Sequence, residues 1–519
     1  MQVWGRWLVV VVTLVTPWMA YAAAPLVKID SGIVQGKTVG TVSTFLGIPY
    51  AAPPVGKLRW KPPSPPAKWD GVRKATSFGA RCMQTRVYSD MVFRDPGISE
   101  NCLMLNVWAP TRAKEGLPVM VWIHGGGFAA GASSEPRQDG GNLAKLGVVV
   151  VSMNYRMGIF GFFVHPELTA ESGKNSAGNY GLLDLVAALE WTQRNIAAFG
   201  GDPANVTIFG ESAGSFAVSV LMASPLANGL FQKAIGESGA AFKSHGLPFP
   251  SRADREPLDS KFMNAALHIQ TLAQLRAVPA QKLLDAATKK NEGHDEFSYG
   301  PDVDGYFLPE KVPAIFAAGK HNDVPLLAGW NRDEGSFDVA KAKPTVVSLK
   351  ESAEKEFGAK APEFLRLYPA DNDDQAYRAM EDFEGDRFIA YSTWKWMEMQ
   401  KANGKQPVYR YRFDLALPPN PKEPGPAVAN HSGEIEYVFG MLDSKPLRWR
   451  PEDRKLSEQM QKYWTNFART GDPNGADLPK WPAYESGNGW QTMYLSASPE
   501  ARKDEMRDRY LFLDEAWGK

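Results

Sequence analysis

The middle of the chain alternates two hydrophobic patterns. Pro118-Val-Met-Val-Trp-Ile123 is a continuous apolar run, rich in β-branched residues, that stops short of Gly125. Val148 to Ser152 is a second such run, ending at Asn154-Tyr155-Arg156, and Val206-Thr-Ile-Phe209 runs straight into Gly210. Ala234–Gly236 and Val324–Ala328 have the same character. Between them, Gly181 to Ile196 places Leu182, Leu185, Val186 and Leu189 on one face at helical spacing. Continuous apolar strands separated by helices predict a mostly parallel central sheet covered by helices on both faces, an α/β fold. In such sheets the functional site lies at the carboxyl ends of the strands. Two Pro-rich stretches, Pro49–Pro66 and Pro418–Pro426, read as rigid surface loops, since residues on either side of each serve one site.

Composition narrows the function classes. The 519 residues carry 58 basic and 58 acidic side chains, and 44 % are hydrophobic, including 16 Trp. That is core-forming material, which excludes a disordered chain. A zero formal charge gives no electrostatic footprint for nucleic acid. The first residues differ in kind: Arg6 is the one charge before Lys28, Leu8 to Val15 is apolar, and Ala20-Tyr21-Ala22 forms a small-x-small site. This is the layout of a signal peptide over 1–22, with 23–519 as a single catalytic domain exported to the periplasm or medium. No later segment has the length of a membrane span, and no heptad or apolar stripe marks an oligomer interface. In an exported chain the two cysteines, Cys82 and Cys102, form one disulfide. Its loop constrains the unfolded chain by about 3 kcal/mol.

Gly210-Glu-Ser-Ala-Gly214 is a G-x-S-x-G motif set between a predicted strand and a predicted helix. A serine on such a sharp turn projects its hydroxyl above the sheet, and glycines are needed where side chains would clash. Ser212 is therefore the candidate nucleophile. His124-Gly-Gly-Gly-Phe128 follows the Pro118–Ile123 strand and has the form of an oxyanion loop, with donors at the N–H groups of Gly126, Gly127 and Ala213. Its Phe128-Ala129 ending does not suit a phosphate loop. With the order serine, acid, histidine, His431 is the one histidine beyond the best acid site, Asn331-Arg-Asp-Glu-Gly-Ser336. Spacing alone leaves Asp333 and Glu334 equal. A histidine base of ordinary pKa predicts an acid limb near pH 6–7.

These features together resemble the type-B carboxylesterase family of α/β-hydrolases, which includes carboxylesterases and cholinesterases. The resemblance runs from about Gly32 to Trp481, with Phe199-Gly-Gly-Asp-Pro-Ala-Asn-Val-Thr-Ile-Phe-Gly-Glu-Ser-Ala-Gly214 fitting its serine signature throughout. Glu100-Asn-Cys-Leu-Met-Leu-Asn-Val-Trp-Ala-Pro110 resembles its second signature, departing at Asn101 and Met104. The resemblance implies the α/β-hydrolase fold with large insertions forming a substrate gorge. It implies Ser212 as nucleophile, His431 as general base and acid, and Glu334 rather than Asp333 as the orienting carboxylate. It supports the oxyanion donors and the Cys82–Cys102 pairing. Glu211 and Ser238 match positions that support the triad, and ion pairs are implied between Arg59 and Glu100 and between Arg156 and Asp386. The substrate is then a small-molecule carboxylic ester, cleaved with no metal or organic cofactor. Choline-recognising members carry a Trp in the first disulfide loop, where its ring holds the quaternary ammonium. Met83 to Asn101 contains none, which points away from choline esters. The gorge is expected from loops in 82–102, 242–300 and 335–425, rich in aromatic residues and Met.

Overall fold

The computed structural model describes residues 1–2, 24–111, 116–243, 247–289, 297–421 and 426–517. The expected signal peptide lies almost wholly outside the described residues. Eleven strands form one sheet: β1 (Lys37–Val39), β2 (Val42–Pro49), β3 (Met104–Pro110), β4 (Leu117–Ile123), β5 (Val149–Met153), β6 (Gly201–Glu211), β7 (Lys233–Glu237), β8 (Leu326–Asn331), β9 (Val408–Phe413), β10 (Gln491–Leu495) and β11 (Glu500–Lys503). Their spatial order is β11-β10-β9-β8-β7-β6-β4-β5-β3-β2-β1. The strands from β5 across to β10 are mutually parallel, while β1 to β3 at one edge and β11 at the other pair antiparallel. The mostly parallel sheet expected from the apolar runs is present.

Strand periodicity explains why the runs are apolar throughout. Val119, Val121 and Ile123 of β4 join Val149, Val151, Val206 and Ile208 in a core on one face. Met120 and Trp122 join Val150, Phe209, Ile235 and Leu327 on the other. Helix α1 (Tyr180–Asn195) packs on the first face through Leu182, Leu185 and Leu189, beside α2 (Ala213–Ala223). Helix α5 (Pro451–Thr470) covers the second face through Leu456, Met460, Trp464 and Phe467. Helices α3 (Asp373–Gly385) and α4 (Tyr391–Asn403) belong to the long insertion between β8 and β9. Each large aliphatic side chain so buried contributes about 1.5–3 kcal/mol. Among the described residues no helix is long and apolar enough to cross a membrane.

Cys82 and Cys102 are joined, with Cα atoms 5.0 Å apart. The Arg59–Glu100 pair is present as a fork: Nε lies 2.6 Å from one carboxylate oxygen and Nη2 2.7 Å from the other. Nη1 of Arg59 donates to the carbonyls of Leu275 and Val278. The Pro49–Pro66 stretch is therefore more than a surface loop: its Arg59 and Trp60 are buried, the first bound to the 275–278 segment and the second donating to the Ile159 carbonyl at 2.7 Å. Pro418–Pro426 is described only in part.

The expected Arg156–Asp386 pair is not formed. Arg156 instead binds Asp184 through Nε (2.8 Å), Nη2 (2.7 Å) and its backbone N–H (3.0 Å). Asp184 sits in the second turn of α1, which packs against the short helix Gly158–Phe162 just after Arg156. Asp386, at the far end of α3, accepts from Tyr368 Oη at 2.7 Å and faces Arg509.

Candidate active site

The sharp turn after β6 puts Ser212 at φ 54° and ψ −125°, a strained conformation for a residue with a side chain. Two packing constraints hold it there. The turn is pressed against the carboxyl end of β4, where a Cβ on Gly214 would lie 2.0 Å from the Ile123 carbonyl oxygen and one on Gly210 would lie 2.6 Å from it. The Ser212 N–H donates to the Glu237 carbonyl at 2.9 Å, tying the turn to the end of β7. Ser212 occupies the position just before α2, so the positive end of that helix lies beneath it.

The glycine-rich loop after β4 is pinned from several sides. His124 stacks on Tyr155 at 4.5 Å, and Tyr155 Oη donates to the His124 carbonyl at 2.9 Å. Burial lowers the His124 pKa to about 4, so this imidazole is neutral. Gln84, in the disulfide loop, exchanges two hydrogen bonds with Gly131, at 2.8 and 2.9 Å. Gly126 has φ 109°, and a Cβ on it would lie 2.0 Å from the Ala130 carbonyl oxygen. Among the described residues, the N–H groups of Gly126, Gly127 and Ala213 donate no hydrogen bond.

At the end of β8 the two adjacent acids part company. Glu334 Oε2 lies 2.6 Å from His431 Nδ1, while Oε1 accepts from Ser238 Oγ at 2.6 Å and from the Asn331 N–H at 2.8 Å. Asp333 points elsewhere. It pairs with Arg332, at 2.7 Å, and accepts from the Ala429 N–H at 2.7 Å, anchoring the backbone two residues before His431. Burial works against its charge, but the Arg332 bonds prevail and hold its pKa below the usual value.

Sequence reasoning missed Glu434. It is fully buried, accepts from Asn331 Nδ2 at 2.6 Å, and lies 3.3 Å from Ser238 Oγ. Burial, then the charge of Glu334, raises its pKa to about 7. Glu211 is buried on the other side, with Oε1 3.2 Å from His431 Nε2. Burial raises Glu211 to about 8, against the pull of His431. For His431, burial lowers the pKa, but the charges of Glu211 and Glu334 outweigh it and raise it to about 10. An acid limb at an ordinary histidine pKa therefore does not fit this surrounding. Among the described residues Ser212 Oγ makes no hydrogen bond to His431. The imidazole instead has Nδ1 2.6 Å from Glu334 Oε2 and Nε2 3.2 Å from Glu211 Oε1.

Side chains from all three expected loop regions reach the site. Met91 borders Gly126, Tyr88 and Phe297 border Gly127, and the Phe388 ring lies 5.3 Å from that of His431. Met91 and Tyr88 are in the disulfide loop, so the loop that the cystine closes also walls the glycine-rich turn.

The Carboxylesterase family profile matches residues 23–512. The chain is 38% identical over 470 residues to the fumonisin B1 esterase of Sphingopyxis macrogoltabida, covering 88% of this chain and 84% of that protein. It is 37% identical over 476 residues to the para-nitrobenzyl esterase of Bacillus subtilis (strain 168), covering 88% and 92%. The crystal structure of the Geobacillus stearothermophilus carboxylesterase Est55 superposes with a TM-score of 0.81 at 36% identity, covering 95% of this chain and 99% of that one. Strand order, site geometry and relatives agree: the chain belongs to the type-B carboxylesterase family of α/β-hydrolases and is a carboxylic-ester hydrolase.

Proposed function

We propose that this enzyme cleaves small-molecule carboxylic esters through an acyl-enzyme on Ser212, with His431 as general base and acid and Glu334 as its orienting carboxylate. The observation that carries the reading is the Glu334–His431 contact of 2.6 Å beside a strained Ser212 at the carboxyl end of the parallel sheet. Ser212 Oγ attacks the ester carbonyl carbon as His431 Nε2, freed of its proton and turned from Glu211, takes the hydroxyl proton. The carbonyl oxygen becomes an oxyanion, held by the N–H groups of Gly126, Gly127 and Ala213. His431 returns the proton to the departing alkoxide, and the C–O bond breaks. Water then repeats the sequence to release the acid and restore Ser212. Glu334 fixes the imidazole tautomer and stabilises its cation, and Ser238 and Asn331 hold Glu334 in place. The cystine and the amino-terminal pattern support export, with 23–519 as one catalytic domain.

A p-nitrophenyl alkylphosphonate tests the nucleophile directly. Mass spectrometry of the labelled full-length protein should find the phosphonyl group on the Ser212 peptide, and Ser212→Ala should stay unlabelled. A label on another residue, or an equally labelled variant, overturns the assignment.

A further inference from the structure

Between α3 and α4 the chain makes a π-helical turn, Asp386–Ala390. A π turn carries one more residue than an α turn, so side chains beyond its start are rotated by about 100° from their positions in a continuous α-helix. Here that rotation accompanies the placement of the Phe388 ring against the His431 imidazole, at 5.3 Å between centroids and 65° between planes.

The turn is held on both sides. Behind it, Asp386 is buried against Tyr368 Oη, and Ile389 and Ala390 are buried in the core. In front, the last turn of α3, which leads directly into it, packs backbone to backbone on the acid loop. A Cβ on Gly335 would lie 2.1 Å from the Glu381 carbonyl oxygen and 2.6 Å from the Gly385 nitrogen, and one on Gly385 would lie 3.2 Å from Glu334 Cβ. Glu334 and Phe388 are thus carried by one packed unit, and both reach His431.

A bond at Nδ1 fixes one corner of an imidazole but leaves the ring free to swing about that corner. During turnover Nε2 has to serve first Ser212 Oγ and then the leaving oxygen, and the other ring edge faces Glu211 at 3.2 Å. An aromatic ring at an edge-to-face angle limits that swing without adding a competing hydrogen bond. Misplacement of a reacting group by about 1 Å costs on the order of 100-fold in rate.

We propose that Phe388 is a positioning residue for His431, set against the imidazole by the π-helical turn. This rests on the reading of His431 as the base.

The test uses the full-length protein with p-nitrophenyl butyrate and four variants: Phe388→Leu, Phe388→Tyr, Phe388→Met and His431→Ala. Phe388→Leu should lose about tenfold in kcat with KM within twofold, in line with a modest displacement. Its proton resonance from the Nδ1–H···Oε2 bond of His431 should broaden or move upfield. Phe388→Tyr, which keeps the ring, should stay within threefold of the parent in kcat and keep the resonance. If Phe388→Leu melts more than about 5 °C lower, Phe388→Met, whose unbranched side chain adapts to the space a ring leaves, takes its place in the comparison. Parental kcat in the leucine variant, equal losses in the leucine and tyrosine variants, or a change confined to KM each overturn the proposal. Retained activity in His431→Ala overturns the base assignment itself, a result separable from the other three.

Discussion

Glu211 and Glu334 flank His431, with Glu211 Oε1 3.2 Å from Nε2 and Glu334 Oε2 bonded to Nδ1 at 2.6 Å. Two buried carboxylates on one imidazole stabilise its cation, and a general base has to shed that proton before it can act. The acid limb of kcat/KM is therefore expected above the ordinary histidine value of about 6.5, and it belongs to the His431–Glu211 pair rather than to either group alone. In Glu211→Gln one negative charge is gone, the imidazolium is less favoured, and the His431 pKa falls. Its limb should move at least one unit to lower pH, read from kcat/KM between pH 5 and 10.5. Coincident limbs in the two proteins would contradict this.

Ser238→Ala should weaken the triad without touching it. The Glu334 oxygen that Ser238 serves is buried, and losing a donor there costs about 1–3 kcal/mol. A fall in kcat of about tenfold is expected, with KM unchanged within twofold and an unaltered circular dichroism spectrum. Unchanged kcat would remove Ser238 from the account.

Gly126→Ala tests the oxyanion loop. The added Cβ overlaps the Ala130 carbonyl oxygen, so the loop has to move. Loss of one oxyanion donor costs about 100- to 1,000-fold in kcat. Ester hydrolysis should fall in that range while the melting temperature stays within a few degrees. A rate within threefold of the parent would show that the N–H of Gly126 does not face the reaction.

Asp184→Asn addresses stability. Both partners of the Arg156–Asp184 pair are buried, and uncompensated burial of one charge costs about 3–5 kcal/mol. Urea unfolding should show a midpoint well below that of the parent, with kcat of the folded protein unchanged. The same substitution at Asp386 leaves Arg156 paired, so the Arg156 site should report no change there.

Reduction of Cys82–Cys102 should lower the thermal midpoint, since the cystine is worth about 3 kcal/mol through the unfolded chain. The Gln84–Gly131 bonds keep the loop on the glycine-rich turn, so kcat should persist at temperatures where the reduced protein is folded. Equal midpoints with and without reductant would contradict the first expectation.

Much of this was legible in the chain because the relevant physics is local. The β4, β5 and β6 runs are apolar on both faces because both are covered, and Gly210 and Gly214 mark the elbow because the Ile123 carbonyl leaves no room for a side chain. What was not legible depends on tertiary packing. Glu434, three residues after His431, reads as an ordinary surface acid and is buried only because Asn331 and Ser238 surround it. Asp184 offered a faint signal as a lone acid in an apolar helix segment, yet its pairing with Arg156 needs the packing of two helices. Phe388 depends on a π turn that no sequence period announces. The rise in the His431 pKa follows from two carboxylates converging from β6 and β8, strands more than a hundred residues apart.

Hydrolysis of p-nitrophenyl butyrate by the full-length protein beside its Ser212→Ala variant, both checked for native fold, tests the Ser212 assignment most directly. Turnover is expected in the first and a loss of at least 1,000-fold in the second, since removing the nucleophile of such a triad costs on the order of a million-fold in kcat. Comparable rates in the two proteins would contradict the assignment.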